Sequence, residues 1–329
     1  MSALLRPAPP DTEYEDLLGQ WADLEAFAGM LLARPAQVPG FTAKMQQCAL
    51  WLDELIAHDV DAALYLMFQL AGASTVGYSA AHALVCAALC QVLAPQLALA
   101  ADERAALVHA AFTMNIGMTA LQDALALQAG PLSPEQQQGV DGHPQRGVQL
   151  LQQCGVDDPL WLETVQRHHQ VPRVDTPLAA LAPAQRLARI LGTIDRYAAM
   201  ISPRKTRQGR SATESMRAVL ARGEQPQDAV GLALSRSVGL CPPGTFVRLE
   251  NGETAAVLRR GLQGPAPLVA SVVDARGRAL VRPRLHPTGA GAPRIVSAVP
   301  RSALALQLNH RAMVRLGLFA AHRTISLRG

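Results

Sequence analysis

Four histidines and an aspartate are the residues best able to do chemistry in this chain: His82, His143, His168, His169 and Asp195. The adjacent pair His168 and His169 closes a helical stretch, an HP step at His143 precedes it and Asp195 follows. Imidazole nitrogens and a carboxylate are the ligands that iron, manganese and zinc share, and they converge if the helices carrying them pack together. Spacing alone leaves a second reading open, since a histidine on an apolar helix is ordinarily a core residue. His58, His109, His286, His310 and His322 fit that plain reading, or exposure, and receive no role. Between the histidines lies FTMNIGM, Phe112 to Met118, which offers no acid, no base and no metal ligand, although Asn115 and Gly117 interrupt its apolar run. Cys86 and Cys90 stand one helical turn apart, as a metal pair would, but their Ala and Leu neighbours favour core packing.

The elements that must position these residues are mostly helical. Hydrophobic residues form 49% of the 329 and aromatics only 4%, so the core is built of Ala, Leu and Val. Segments 12–34, 41–57, 59–72 and 78–94 carry apolar residues at three- and four-residue spacing. SPEQ at 133–136 is a capping box with Pro at the first helical position, predicting a helix to about Cys154. WLETVQRHH and PAQRLARILGTIDRYAAM predict two more, separated by a loop with Pro172 and Pro177.

The pattern changes at about Gly239. TFVRLENGETAAVL reads as a hairpin turning at Asn251 and Gly252, and PLVASVVDARGRALVRP as another turning at Gly277. RLHPTGAGAP reads as a loop and NHRAMVRLGL as a short closing helix. The expected fold is thus mainly α, a helical bundle followed by a small β-rich C-terminal module. The expected organisation is a helical N-terminal extension over 1–75, a helical domain over 76–238 and the β-rich module over 239–329.

Composition narrows the setting. MSALLRPAPPD has no apolar segment of the secretory kind, which predicts a cytoplasmic protein. The stretch 81–101 has the length of a membrane span but carries His82, Gln91, Pro95 and Gln96, so a buried helix ending near Pro95 is expected, with no membrane partner. Five cysteines without a CxxC pair predict free thiols. The charge is uneven: residues 1–199 hold 10 Lys/Arg against 20 Asp/Glu, and residues 200–329 hold 20 against 6. A basic tail suits an anionic partner, and solvation by scattered arginines is the alternative. Nucleic acid is disfavoured because the arginines lack interleaved aromatics.

The order YSAAHALV, MNIGM, LSPEQQQGVDGHPQRGVQLL, HHQ, DRYAAMISPRK and CPPGTFVRLENGE resembles the HD-GYP proteins, a branch of the HD metal-dependent phosphohydrolases, over about residues 50–300. The resemblance implies an HD-domain-like bundle holding two or three iron or manganese ions that hydrolyse cyclic di-GMP. It implies that His82, His143, His168, His169 and Asp195 are metal ligands. MNIGM stands where the family has HDIGK, so Met114 replaces the eponymous His, Asn115 the metal-bridging Asp, and Met118 a phosphate-holding Lys. The Gly-Tyr-Pro motif is absent from VPRVDTPLAAL, and Gln170 replaces a Glu. Arg204 and Arg207 match the family's basic phosphate-binding positions.

A neutral amide cannot offset the repulsion of two dications as a carboxylate does, and a thioether suits Fe(II) or Mn(II) poorly. The expectation is a degenerate module with no intact catalytic set, holding one divalent ion (Fe, Mn or Zn) or none. It would bind cyclic di-GMP or a signalling protein such as a diguanylate cyclase, with a homodimer as one assembly. The alternative is a phosphodiesterase or other phosphohydrolase with an atypical metal set, using His143, His168 and His169.

Overall fold

The computed structural model describes residues 11–73, 77–170, 176–205, 208–222, 228–261, 266–304 and 307–326. The chain opens with helices α1 (Asp11–Ala33), α2 (Phe41–His58), α3 (Val60–Ala73) and α4 (Tyr78–Leu93). It continues with α5 (Ala101–Thr113), α6 (Thr119–Leu127), α7 (Pro134–Asp141), α8 (His143–Gln153), α9 (Pro159–Arg167) and α10 (Pro183–Ile201). Then α11 (Ala212–Arg222) and α12 (Ala229–Val238) lead to the strands β1 (Phe246–Leu249), β2 (Thr254–Arg259), β3 (Leu268–Val273), β4 (Ala279–Pro287) and β5 (Ile295–Val299). The helix α13 (His310–Ser326) closes the described chain. The mainly helical class with a small C-terminal sheet is as the sequence predicts.

At the centre lies α4, buried on nearly every face from Tyr78 to Leu93 and packed by α1, α3, α5 and α10. Its small side chains are the reason it can be surrounded, because Ala and Cys let neighbouring backbones approach. The stretch Tyr78–Leu97 is long and apolar enough to cross a membrane by length and composition, and 72% of it is buried inside the protein. The α-helix stops at Leu93 and Pro95 lies in a tighter 3₁₀ turn, Ala94–Leu97, close to the expected end.

The sheet is antiparallel in the order β4-β3-β2-β1-β5. Both expected hairpins are present, with Gly252 at φ 83° and Gly277 at φ 80° supplying the left-handed turn residues. β2 is buried on both faces because α3 and α13 cover one of them. Arg259 of β2 and its neighbour Arg260 reach the start of α3: Arg259 Nη1 lies 2.7 Å from Asp59 Oδ2 and Arg260 Nε 2.6 Å from Asp61 Oδ1. The main apolar core runs from Leu17 through the central helices to β1–β3 and Leu318 of α13.

Three expectations need correction. The helix from Ser133 does not run to Cys154: it ends at Asp141, and α8 restarts at His143. Pro144 has no N–H for the carbonyl four residues back, Val140, and its ring crowds that carbonyl, so the helix breaks there. Arg284–Pro287, read as loop, belongs to β4, paired with Leu268–Ser271. The closing helix is not short, because Met313, Val314 and Leu318 give α13 an apolar stripe that packs on the core.

Candidate functional site

The break at Gly142 sets up the site. With Pro144 unable to use it, the Val140 carbonyl accepts from His143 Nδ1 at 2.5 Å. The same device recurs at the end of α9, where the last carbonyls of a helix have no partner within it. There His168 Nδ1 donates to the Val165 carbonyl at 2.6 Å. Because a carbonyl only accepts, both Nδ1 atoms carry the proton and both Nε2 atoms present bare lone pairs. Those two Nε2 atoms face each other at 3.2 Å. Both rings are buried, His143 at 0% and His168 at 1% exposure. Burial pushes His143 down to about 4 and His168 down to about 3, with the neighbouring His169 acting in the same direction.

His169 is exposed, its ring 4.0 Å from His168 and 5.0 Å from His143 between centroids. The ligand atoms of these three histidines all lie within 4.8 Å of one another. Two lone pairs turned toward each other in a buried place repel unless a cation lies between them, and the backbone-fixed tautomers are the arrangement that metal-bound imidazoles use. The donor set therefore fits a divalent metal.

A second set adjoins it. His82 of α4 lies with Nε2 2.8 Å from Asp195 Oδ1 of α10. One turn along α4, Cys86 Sγ lies 3.6 Å from the same nitrogen. His82, Cys86 and Asp195 form a group whose ligand atoms lie within 4.8 Å of one another. Burial raises the Asp195 carboxyl, but the hydrogen bond from His82 and the fields of His82, His168 and His169 outweigh it and hold the group below the usual carboxylate range. Asp195 thus acts on both sets. His82 Nδ1 is buried without a hydrogen-bond partner among the described residues.

Asp195 is brought within electrostatic reach of His168 because α10 packs close to the end of α9. A Cβ on Gly192, one turn before Asp195, would lie 2.3 Å from the His168 carbonyl oxygen. A Cβ on Gly117 would likewise lie 2.4 Å from the His143 carbonyl oxygen, so MNIGM is pressed against the start of α8. Within that segment Met114 is 1% exposed and belongs to the apolar core. Asn115 and Met118 are half-buried.

Arg204 is half-buried on the rim, its guanidinium carbon 5.2 Å from the centre of the Tyr78 ring and Nη2 3.3 Å from the Tyr78 hydroxyl. Its Nε has no partner among the described residues. Tyr78 stacks on His82 at 5.5 Å with 10° between the planes, so Arg204, Tyr78 and His82 form a column ending at Asp195. Arg207 and Val171–Asp175, where the Gly-Tyr-Pro motif would begin, lie outside the described residues. Gln170 is exposed and accepts from Arg167.

The remaining histidines follow their plain reading where described. His109 packs on Trp161 at 4.8 Å, His286 meets the Ser271 hydroxyl and His310 the Tyr65 hydroxyl. The side chain of His322 is outside the described set. Sequence reasoning overlooked Cys86 as a neighbour of the site, Tyr78, and the two glycines. The signal for Cys86 was H-x₃-C on one helix, which puts both side chains on one face.

Compared with known proteins, the chain is 28% identical over 212 residues to a cyclic di-GMP phosphodiesterase of Pseudomonas aeruginosa, covering 63% of this chain and 47% of that protein. The chain thus spans about half the length of the curated relative it matches. No family model matches, and no solved structure matches.

Proposed function

We propose that this chain is a degenerate HD-GYP protein of cyclic di-GMP signalling, acting by binding to cyclic di-GMP or to a signalling protein such as a diguanylate cyclase, with catalysis lost or weak. The observation that carries this is Met114: where the family has its first eponymous ligand stands a thioether 1% exposed in the apolar core, followed by the neutral Asn115. The relative's name and the ordered match of motifs support the signalling context. The division into 1–75, 76–238 and 239–329 belongs to the same reading.

In this reading His143 and His168 hold a divalent ion through their Nε2 atoms, with His169 at the open rim and His82 and Asp195 beside them. The ion supplies positive charge for phosphate oxygens. Arg204, hydrogen-bonded to the Tyr78 hydroxyl, presents a guanidinium to a phosphate. Asn115 leaves the site without a bridging negative charge, so a second hard ion is held weakly.

A second reading is a phosphodiesterase or other phosphohydrolase with an atypical metal set. The convergence of His143, His168 and His169 favours it, since three imidazoles with one open position form a catalytic arrangement. Calorimetric titration with cyclic di-GMP tests the ligand common to both. Saturable binding weakened at least about tenfold by Arg204→Met is expected, the loss of roughly one charge-assisted contact. No saturable heat in the metal-loaded wild type would remove cyclic di-GMP as the ligand.

A further inference from the structure

We infer that Cys86 is a metal ligand, so that this chain holds a thiolate-bearing His82–Cys86–Asp195 site selective for zinc-like ions over iron or manganese. The inference rests on the proposed reading that the bundle holds divalent metal, and it adds to the His143–His168–His169 group a separate site with its own additional side chain. The sulfur is fully buried and faces His82 Nε2 at 3.6 Å. A tetrahedral ion with bonds of about 2.3 Å to sulfur and about 2.0 Å to nitrogen spaces two such ligands by about 3.5 Å. The His82 and Cys86 atoms therefore already stand at a shared-ion separation. Asp195 Oδ1, now 2.8 Å from the same nitrogen, needs to move outward by about half an ångström to complete the third vertex.

The arrangement is built into one rigid element. His82 and Cys86 are four residues apart on α4, which is packed on all sides, so their separation is set by the helix rather than by a loop. Cys90, a further turn along, is equally buried but belongs to no such ligand group among the described residues, which separates a site from general apolar packing. The change of chemistry is coherent with the loss at Met114 and Asn115. Removing the bridging carboxylate disfavours a pair of hard ions, and a thiolate beside a histidine and a single carboxylate suits one softer ion. Binding converts the Cys86 thiol to a thiolate–metal bond, and the displaced proton leaves for solvent, one per ion bound.

The test uses the full chain carrying Cys154→Ser and Cys241→Ser, which removes the two partly exposed thiols, titrated anaerobically with Co(II) alone. A thiolate-to-cobalt charge-transfer band in the near ultraviolet is expected, unchanged by Cys90→Ser and lost in Cys86→Ser. Zinc at equal concentration should abolish the band and excess manganese should leave it. Cobalt binding, seen in the visible ligand-field bands, without the charge-transfer band would overturn the role of Cys86 and leave the histidine centre standing. Absence of any cobalt binding would overturn both. Cys86→Ala serves where the serine variant fails to fold, and the wild-type spectrum alone can refute the assignment.

Discussion

The close approach of α10 to the end of α9 gives the sharpest prediction. In Gly192→Ala the added methyl would sit 2.3 Å from the His168 carbonyl oxygen, where ordinary contact begins at 3.4 Å. The obstacle is backbone on both sides, so one helix must retreat by about 1 Å. Overpacking of that kind costs about 1–3 kcal/mol, and alanine's better helix propensity returns about 0.8–1 kcal/mol. The net is a loss of up to about 2 kcal/mol, a fall in Tm of several degrees for a chain this size. Asp195 moves with its helix away from His168, so affinity for a divalent ion should fall about 10- to 100-fold, as when an orienting partner is lost. Gly19→Ala in α1, with nothing within 4 Å of the new methyl, is the control and should raise Tm slightly. Thermal unfolding and metal titration of both variants are the assays. A Gly192→Ala protein as stable and as metal-avid as Gly19→Ala would refute the packing that joins Asp195 to the histidines.

Other outcomes follow from the charges. Asp61→Ala leaves the Arg260 guanidinium without its carboxylate at the seam between sheet and bundle, and should cost about 3 kcal/mol in urea unfolding. His143 and His168 are held neutral by burial, with folded values of about 4 and about 3 against 6.5 for the free group. The unfolded chain therefore binds more protons below pH 6.5, and the metal-free protein should lose stability as pH falls from 6.5 toward 4. Each imidazole contributes a slope of up to about 1.4 kcal/mol per pH unit, so urea unfolding of His168→Ala should show a slope smaller than wild type by up to about that amount in that window.

What was legible in the sequence is what is locally determined. The capping box forms as read, with Ser133 Oγ accepting from Gln136 N and Gln136 Oε1 from Ser133 N, because both partners lie within one turn. The hairpins at Asn251–Gly252 and at Gly277 form because the turn residues themselves select them. The histidines were legible by type and order, but the reason His143 has its orientation was hidden in Pro144, which was read as part of a helix rather than as its interruption. β5 was missed because its pairing with β1 joins Leu249 to Ile295, across three intervening strands. The roles of Gly117 and Gly192 depend on which backbone comes to lie against them, and no local pattern encodes that. Cys86 was read with Cys90 as core, since Ala and Leu surround both; its neighbour across the helix turn, His82, is what distinguishes it.

The measurement that bears most directly on the central claim is turnover of cyclic di-GMP by purified protein supplied anaerobically with iron, manganese or zinc, beside a His168→Ala control. The account predicts binding without turnover above the level of the control. Turnover that disappears in His168→Ala would contradict it, and would show that a centre with Met114 and Asn115 in place of the usual ligands still hydrolyses the phosphodiester.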